Sequence, residues 1–331
     1  MEFVAVDKLF PDWNIWTEFV QSVYGLALSL DAMTSSHPVE VQATHPDEIT
    51  EIFDAISYAK GASIIRMIAT HIGMDQFWKG IRIYLSRHAY GNAVTNDVWG
   101  ALEEASGVPV VAFMEPWTLQ VGYPILLLKS DGGIDLTRFL ASGPQENDSS
   151  KAAWPVPVTV KVEGMDSVQG PFVINGPNGD ELETLKSKIS EFSSAGLWFK
   201  LNTGQNAFYR VSYTQEQWTR LSKVMDPSGP LSMVDRLGLL SDSFAAGKAG
   251  YASIVDSLTL VSGFGDHEVA GTSVSKCSLL LPLWDSSHEC DPCYIVPCVQ
   301  STRSGKNCRK ISLDWLRPFG RNRGLIRSSY F

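Results

Sequence analysis

The spacing of apolar residues changes twice along the chain, and few folds accommodate both changes. Up to Gly122 they recur every three to four positions, the period of an amphipathic helix. From Pro124 to Tyr213 they tend to alternate, the period of a half-buried strand, and from Thr214 the helical spacing returns. A helical block, a strand-rich middle and a second helical block follow. At 331 residues the chain is long enough to give such units real cores.

Within the first block, Pro46 suits the first position of a helix entered at Thr44 or His45, with Asp47, Glu48 and Glu51 where the helix dipole favours negative charge. Ile52, Ile56, Ala59 and Ser63 then share a stripe, with Phe53 and Ile64 beside it. Gly61 lowers helix propensity by about 1 kcal/mol relative to Ala, which suggests another backbone close by. A helix over 75–87 is expected to bury Phe77, Ile81, Tyr84 and Leu85. The next has Thr95 or Asn96 as its N-cap, carries Val98, Trp99 and Leu102, and stops at Gly107. A fourth runs from Pro109 towards Gly122.

Beyond Gly122, the segments 124–128, 134–141, 156–162, 197–201 and 207–213 are rich in β-branched and aromatic residues and separated by Gly, Pro, Asn and Asp clusters. They suit an antiparallel β-sandwich. Helices then resume at 215–225 and after Ser232 or Asp235.

Several function classes are excluded. A net charge of −9 argues against a nucleic-acid partner, which would require clustered Lys and Arg. No apolar run of the roughly 18 residues needed for a membrane span occurs. The N-terminal MEFVAVDKLFPDW has no basic segment followed by an apolar stretch, so no signal or transit peptide is expected and a cytoplasmic setting is favoured.

All five cysteines lie at or beyond Cys277, and from His267 onward nine basic residues face five acidic ones, so this tail differs in composition from the rest. Cys290, Cys293, Cys298 and Cys308, with His288 nearby, could ligate zinc, but their spacing matches no common finger, and a disordered tail with incidental cysteines is the stronger reading. None of the six histidines falls in an H-E-x-x-H spacing. Neither G-x-S-x-G nor a phosphate-cradling G-x-x-x-x-G-K-[ST] occurs. From residue chemistry alone there is no complete active site. Tyr58, in an apolar helical pattern, would ordinarily be a core residue.

Longer words carry more information. The run ALSLDAMTSSHPVEVQATHPDEITEIFDAISYAKGASIIRMI closely resembles the segment that follows the metal site in zinc aminopeptidases of the puromycin-sensitive and alanyl type. The likeness continues through YLSRHAYGNAVTNDVWGALEEASG, MEPWTLQVGYPIL, TRFLASG, WPVPVTV, NAFYRVSY and LSMVDRLGLLSDSFAAGKAGY, and covers residues 1 to 264. It implies a multidomain α and β chain. Residues 1–121 would be the helical C-terminal part of a thermolysin-like catalytic domain, 122–213 a β-sandwich, 214–266 the start of a C-terminal helical superhelix, and 267–331 an unmatched, disordered or out-of-frame tail.

The resemblance implies a metallopeptidase that uses zinc to remove single residues from peptide N-termini. Tyr58, in the word ISYAKGAS, matches the tyrosine that contacts the tetrahedral intermediate. The family's substrate word, its H-E-x-x-H helix and its third zinc ligand have no counterpart here, so no zinc ligand is assigned and the chain alone is expected to be inactive. Met1 would correspond to an internal methionine of a longer protein. A non-catalytic peptide-binding or scaffold module, or a pseudogene product, is the alternative. Peptides are the expected partners, without nucleic acid or a membrane span.

Overall fold

The structure is a computed structural model that describes residues 2–41, 53–145, 154–176 and 178–264. These lie in one compact unit, Met1–Thr272, while a second unit, Ser273–Phe331, falls outside them, as do the cysteines and the expected helix start around Pro46. No helix among the described residues is long and apolar enough to cross a membrane.

The first block begins with short helices α1 (Glu2–Leu9), α2 (Ile15–Glu18) and α3 (Gly25–Leu30), the last two joined by a π-helical stretch, Phe19–Tyr24. A second π-helical turn, Ile56–Lys60, leads into α4 (Gly61–Ile72), followed by α5 (Met74–Arg87), α6 (Thr95–Ser106) and α7 (Val110–Leu119). Helix α4 buries Ser63, Ile64, Met67, Ile68 and Ile72, the i, i+3, i+4 stripe expected of a core-facing helix. Helix α6 starts one residue earlier than expected, with Val94 as cap. A valine side chain accepts no hydrogen bond, so the start is held from the other side, where the Asp97 carboxylate accepts from the Val94 N–H at 2.8 Å. Gly107 ends it in the left-handed region at φ 72°.

Two expectations are corrected here. Among the described residues outside its own helix no backbone lies near Gly61, where an added Cβ would meet a Val39 methyl at 4.0 Å. The close approach is at Gly80, where a Cβ would come within 2.9 Å of the Leu102 Cα and 3.0 Å of the Ala101 carbonyl oxygen, because α5 and α6 pack backbone to backbone there. Of the four residues expected inside on α5 only Phe77 is buried; Ile81 and Tyr84 are half-buried and Leu85 is exposed, since it sits a half-turn off the face that α5 turns to α6. Gly80→Ala should therefore overpack this contact, at about 1–3 kcal/mol, of which alanine's better helix propensity returns about 1 kcal/mol. A net fall on the order of 1 kcal/mol in urea-unfolding stability is expected. An unchanged midpoint would show that the two helices separate freely.

Among the described residues, the middle of the chain forms two three-stranded sheets. In the first, β1 (Pro124–Leu128) pairs antiparallel with β2 (Ile134–Arg138) and parallel with β6 (Arg210–Ser212), with Ile125 opposite Arg210. In the second, β3 (Pro155–Val162) lies between β4 (Gln169–Asn175) and β5 (Phe199–Leu201), antiparallel to both. The sheets are thus not wholly antiparallel. A parallel pair needs a long crossover, and the chain between β1 and β6 supplies one, including a 15-residue helix, α8 (Asp180–Ser194), that the alternation pattern did not predict. Its acidic first turn (Asp180, Glu181, Glu183) and buried Leu182, Leu185, Ile189 and Phe192 are ordinary helix signals.

The final block contains α9 (Gln215–Ser222), α10 (Met233–Lys248) and α11 (Ile254–Ser262). Ser232 is the cap of α10, its hydroxyl accepting from the Asp235 N–H at 3.1 Å. Buried polar links fasten both helical blocks to the sheets. The Tyr24 hydroxyl donates to the Ala207 carbonyl (2.9 Å), and Tyr123 donates to the Leu28 carbonyl (2.7 Å) while accepting from Arg210 (3.1 Å). Arg210 also pairs with Asp242 on α10 at 2.9 Å, and Lys200 with Asp235 at 3.1 Å.

Candidate active-site turn

Tyr58 lies at the centre of the π-helical turn Ile56–Lys60, a geometry enriched at functional sites. Its neighbours on the turn, Ile56, Ala59 and Lys60, are buried. Tyr58 is 65% exposed, with the likewise exposed Phe53 ring 6.4 Å away, so it is not the core residue its apolar surroundings predict. The apolar stripe and the phenol occupy opposite sides of one turn.

Two ionic contacts hold that turn. At its start the Asp54 carboxylate accepts from the Ser57 N–H at 2.9 Å and meets His37 Nε2 at 2.7 Å, while His37 Nδ1 faces the Pro38 carbonyl at 2.8 Å. Both ring nitrogens face acceptors, an arrangement satisfied only by the imidazolium, which donates twice. Burial lowers the His37 pKa, but the hydrogen bond to Asp54, the Pro38 carbonyl and the Asp54 charge outweigh it and leave the pKa above 6.5. For Asp54, burial raises the pKa, and the Ser57 N–H and His37 outweigh it, leaving the value below 3.8.

The sign for stability follows from both shifts. The His37 contribution is complete below the unfolded value and is lost as pH rises through the raised folded pKa; the Asp54 contribution is present above its unfolded value and is lost as pH falls through the depressed one. The contact therefore favours the folded state between those limits. An NMR titration should find His37 above 6.5, with Asp54→Asn moving it down. A His37 value indifferent to that substitution would show that the pair does not form in solution.

At the other end Lys60 and Asp31 form an ion pair of 2.8 Å with both side chains 0% exposed. Burial pulls the Lys60 ammonium below the usual lysine range, and Asp31 offsets part of this through charge and hydrogen bonding. The ammonium also donates to the Gln120 carbonyl (3.0 Å) and the Gly122 carbonyl (3.1 Å). Asp31 Oδ1 accepts from the Gly122 N–H (2.9 Å) and the Ser36 hydroxyl (2.7 Å). Sequence reasoning missed this pair. Its one local signal is a lysine set between Ala59 and Gly61 on a turn whose other inward residues are apolar.

Zinc, which the resemblance implies for the family, does not fit the residues described. Among them no group of three His, Cys, Asp or Glu side chains could hold a metal ion. The described histidines are otherwise engaged: His37 with Asp54, His71 stacked on Phe113 at 4.7 Å, and His88 beside Asp97 at 3.9 Å. His45 and the cysteine-bearing tail lie outside the described residues.

Residues 1–117, which include Tyr58, Lys60 and Asp31, match the model of the peptidase family M1 domain, and residues 198–287 match that of the ERAP1-like C-terminal domain. The chain is 37% identical over 328 residues to Aminopeptidase M1-A of Oryza sativa subsp. japonica, covering 98% of this chain and 35% of that protein. The chain belongs to the M1 peptidase family. Two further relatives are similar over most of the chain. Aminopeptidase M1 of Arabidopsis thaliana is 40% identical over 274 residues, 80% of this chain and 30% of that protein. Aminopeptidase 2, mitochondrial, of Saccharomyces cerevisiae is 36% identical over 272 residues, 81% of this chain and 27% of that protein. This M1 chain thus spans about a third of the length of these relatives. The second matched span runs to residue 287, beyond residue 264 where the resemblance in words ends.

Proposed function

We propose that this chain is part of an aminopeptidase that hydrolyses peptides from the N-terminus, and that Tyr58 supplies a hydrogen bond to the reaction's oxyanion. The observation that carries the reading is the exposed Tyr58 phenol on a turn pinned at both ends, inside the span matching the M1 domain. The names of the relatives, all aminopeptidases, support the same reading.

When a peptide carbonyl is attacked, its oxygen gains charge and leaves the plane of the amide. A fixed phenol O–H aimed at that position donates more strongly to the oxyanion than to the starting carbonyl, so its contribution falls on the transition state. A turn whose neighbours are buried fixes the backbone that carries the phenol, which reduces the ordering cost at the moment of reaction. Zinc would supply the attacking water in the family as a whole. The residues described here bind none, and their share of the chemistry is this hydrogen bond.

The test is release of a chromophore from aminoacyl reporters by two proteins: the 331-residue chain, and a hybrid in which the part of the rice relative that precedes the matched span is joined ahead of it. The hybrid should be active and the chain alone inactive. A folded, metal-loaded hybrid that cleaves no aminoacyl reporter would sink the reading, and chelator-sensitive activity of the rigorously purified chain would sink the view that it lacks a zinc site.

A further inference from the structure

We infer that the buried Lys60–Asp31 pair is a positioning device for Tyr58, setting the rotation of the π-helical turn so that the phenol faces outward; this rests on the role proposed for Tyr58 above.

Lys60 follows Tyr58 by two residues. Side chains two apart on a helical turn do not share a face, so fixing one inward turns the other outward. An apolar residue at position 60 would also prefer the interior, but nothing would set its azimuth closely, because apolar burial is non-directional. The ammonium is directional. It donates to the Gln120 carbonyl at 3.0 Å and the Gly122 carbonyl at 3.1 Å, and forms an ion pair with Asp31 Oδ2 at 2.8 Å. These partners belong to two separate elements, the end of α3 and the link from α7 to β1, so the lysine is located from two directions.

Asp31 is held in its turn. Its second oxygen accepts from the Gly122 N–H at 2.9 Å and from Ser36 at 2.7 Å, which closes a ring from Asp31 through Gly122 and Lys60 back to Asp31. Tyr58 itself is tied to the turn by its backbone, its N–H donating to the Asp54 carbonyl at 3.1 Å. Movement of the Lys60 end therefore reaches Tyr58 through two residues of the same turn.

The first measurement uses the 331-residue chain and Lys60→Met. Amide hydrogen exchange should accelerate selectively at 56–61, beyond any change in the α5–α6 hairpin used as internal reference. Equal acceleration in turn and hairpin would make Lys60 a general stabiliser and overturn the proposal. The second is a cycle of Tyr58→Phe, Lys60→Met and both together in the hybrid. Lys60→Met should lower kcat by on the order of 10- to 10²-fold, the scale of an ångström misplacement, with KM little changed, and should cost nothing further once Tyr58 is Phe. If the two losses multiply, the lysine acts elsewhere and this proposal fails while the role of Tyr58 stands. If Tyr58→Phe alone leaves kcat unchanged, the role of Tyr58 fails, and this proposal with it. Should Lys60→Met not fold, Ser36→Ala removes one hydrogen bond from Asp31 without stranding a buried charge. It should give a smaller loss of kcat that also disappears in the Phe background, and full activity of Ser36→Ala with Tyr58 in place would overturn the proposal.

Discussion

Tyr58→Phe in the hybrid should lower kcat by about 10² to 10³, equivalent to about 2.7–4 kcal/mol, the effect of removing one oxyanion donor. KM should change little, because the lost hydrogen bond is formed mainly in the transition state. Melting temperature should hold, since the ring is retained and the side chain is 65% exposed, so little packing depends on the hydroxyl. Near-normal turnover would remove Tyr58 from the chemistry. A rise in KM at constant kcat would instead make it a group that binds the ground state.

The second large effect concerns stability. Lys60→Met in the 331-residue chain should cost about 3–5 kcal/mol in urea unfolding, the usual result of removing one member of a buried pair. The loss comes less from the missing attraction than from what remains: an Asp31 carboxylate, 0% exposed, without its counterion, and the Gln120 and Gly122 carbonyls without the ammonium that donates to them. Substituting both residues, Lys60→Met with Asp31→Leu, should recover much of the loss, because no buried charge is left. If the double variant is no more stable than the single one, the two stranded carbonyls dominate and the ion pair is secondary. The single substitution by itself does not separate these causes.

What the sequence revealed, and what it concealed, divides by range of interaction. Helix α6 is legible because its evidence is local: a stripe through Val98, Trp99 and Leu102 and a glycine stop at Gly107. Helix α8 carries equally local signals, but it lies among segments whose apolar residues alternate, so the strand period dominates its surroundings. Strand β4 was hidden by Gly170 and Pro171, residues that usually demote a strand. The parallel pairing of Ile125 with Arg210 has no local signature, because the partner strand is distant in sequence and register is decided by the fold between.

The candidate site divides in the same way. Tyr58 was singled out by the words around it, whereas the apolar period placed it in the core, where it does not lie. Asp31 carries nothing in its own surroundings to connect it with Lys60. A carboxylate and an ammonium that will share a buried space look, in sequence, like any two surface charges.

The parallel β1–β6 contact also fixes an order of events in synthesis. Strand β1 cannot acquire its second neighbour until residues 210–212 have been made, nor can Arg210 find Asp242 until α10 follows. At about 5–20 residues per second, β1 is held on the ribosome for roughly ten seconds with one edge unpaired. Such an edge is a template for association with other chains, and its closure waits on a non-local contact of the kind that makes folding slow. Chaperone demand during translation should therefore peak between the emergence of β1 and that of α10, and slowing elongation within this interval should increase aggregation of the nascent chain.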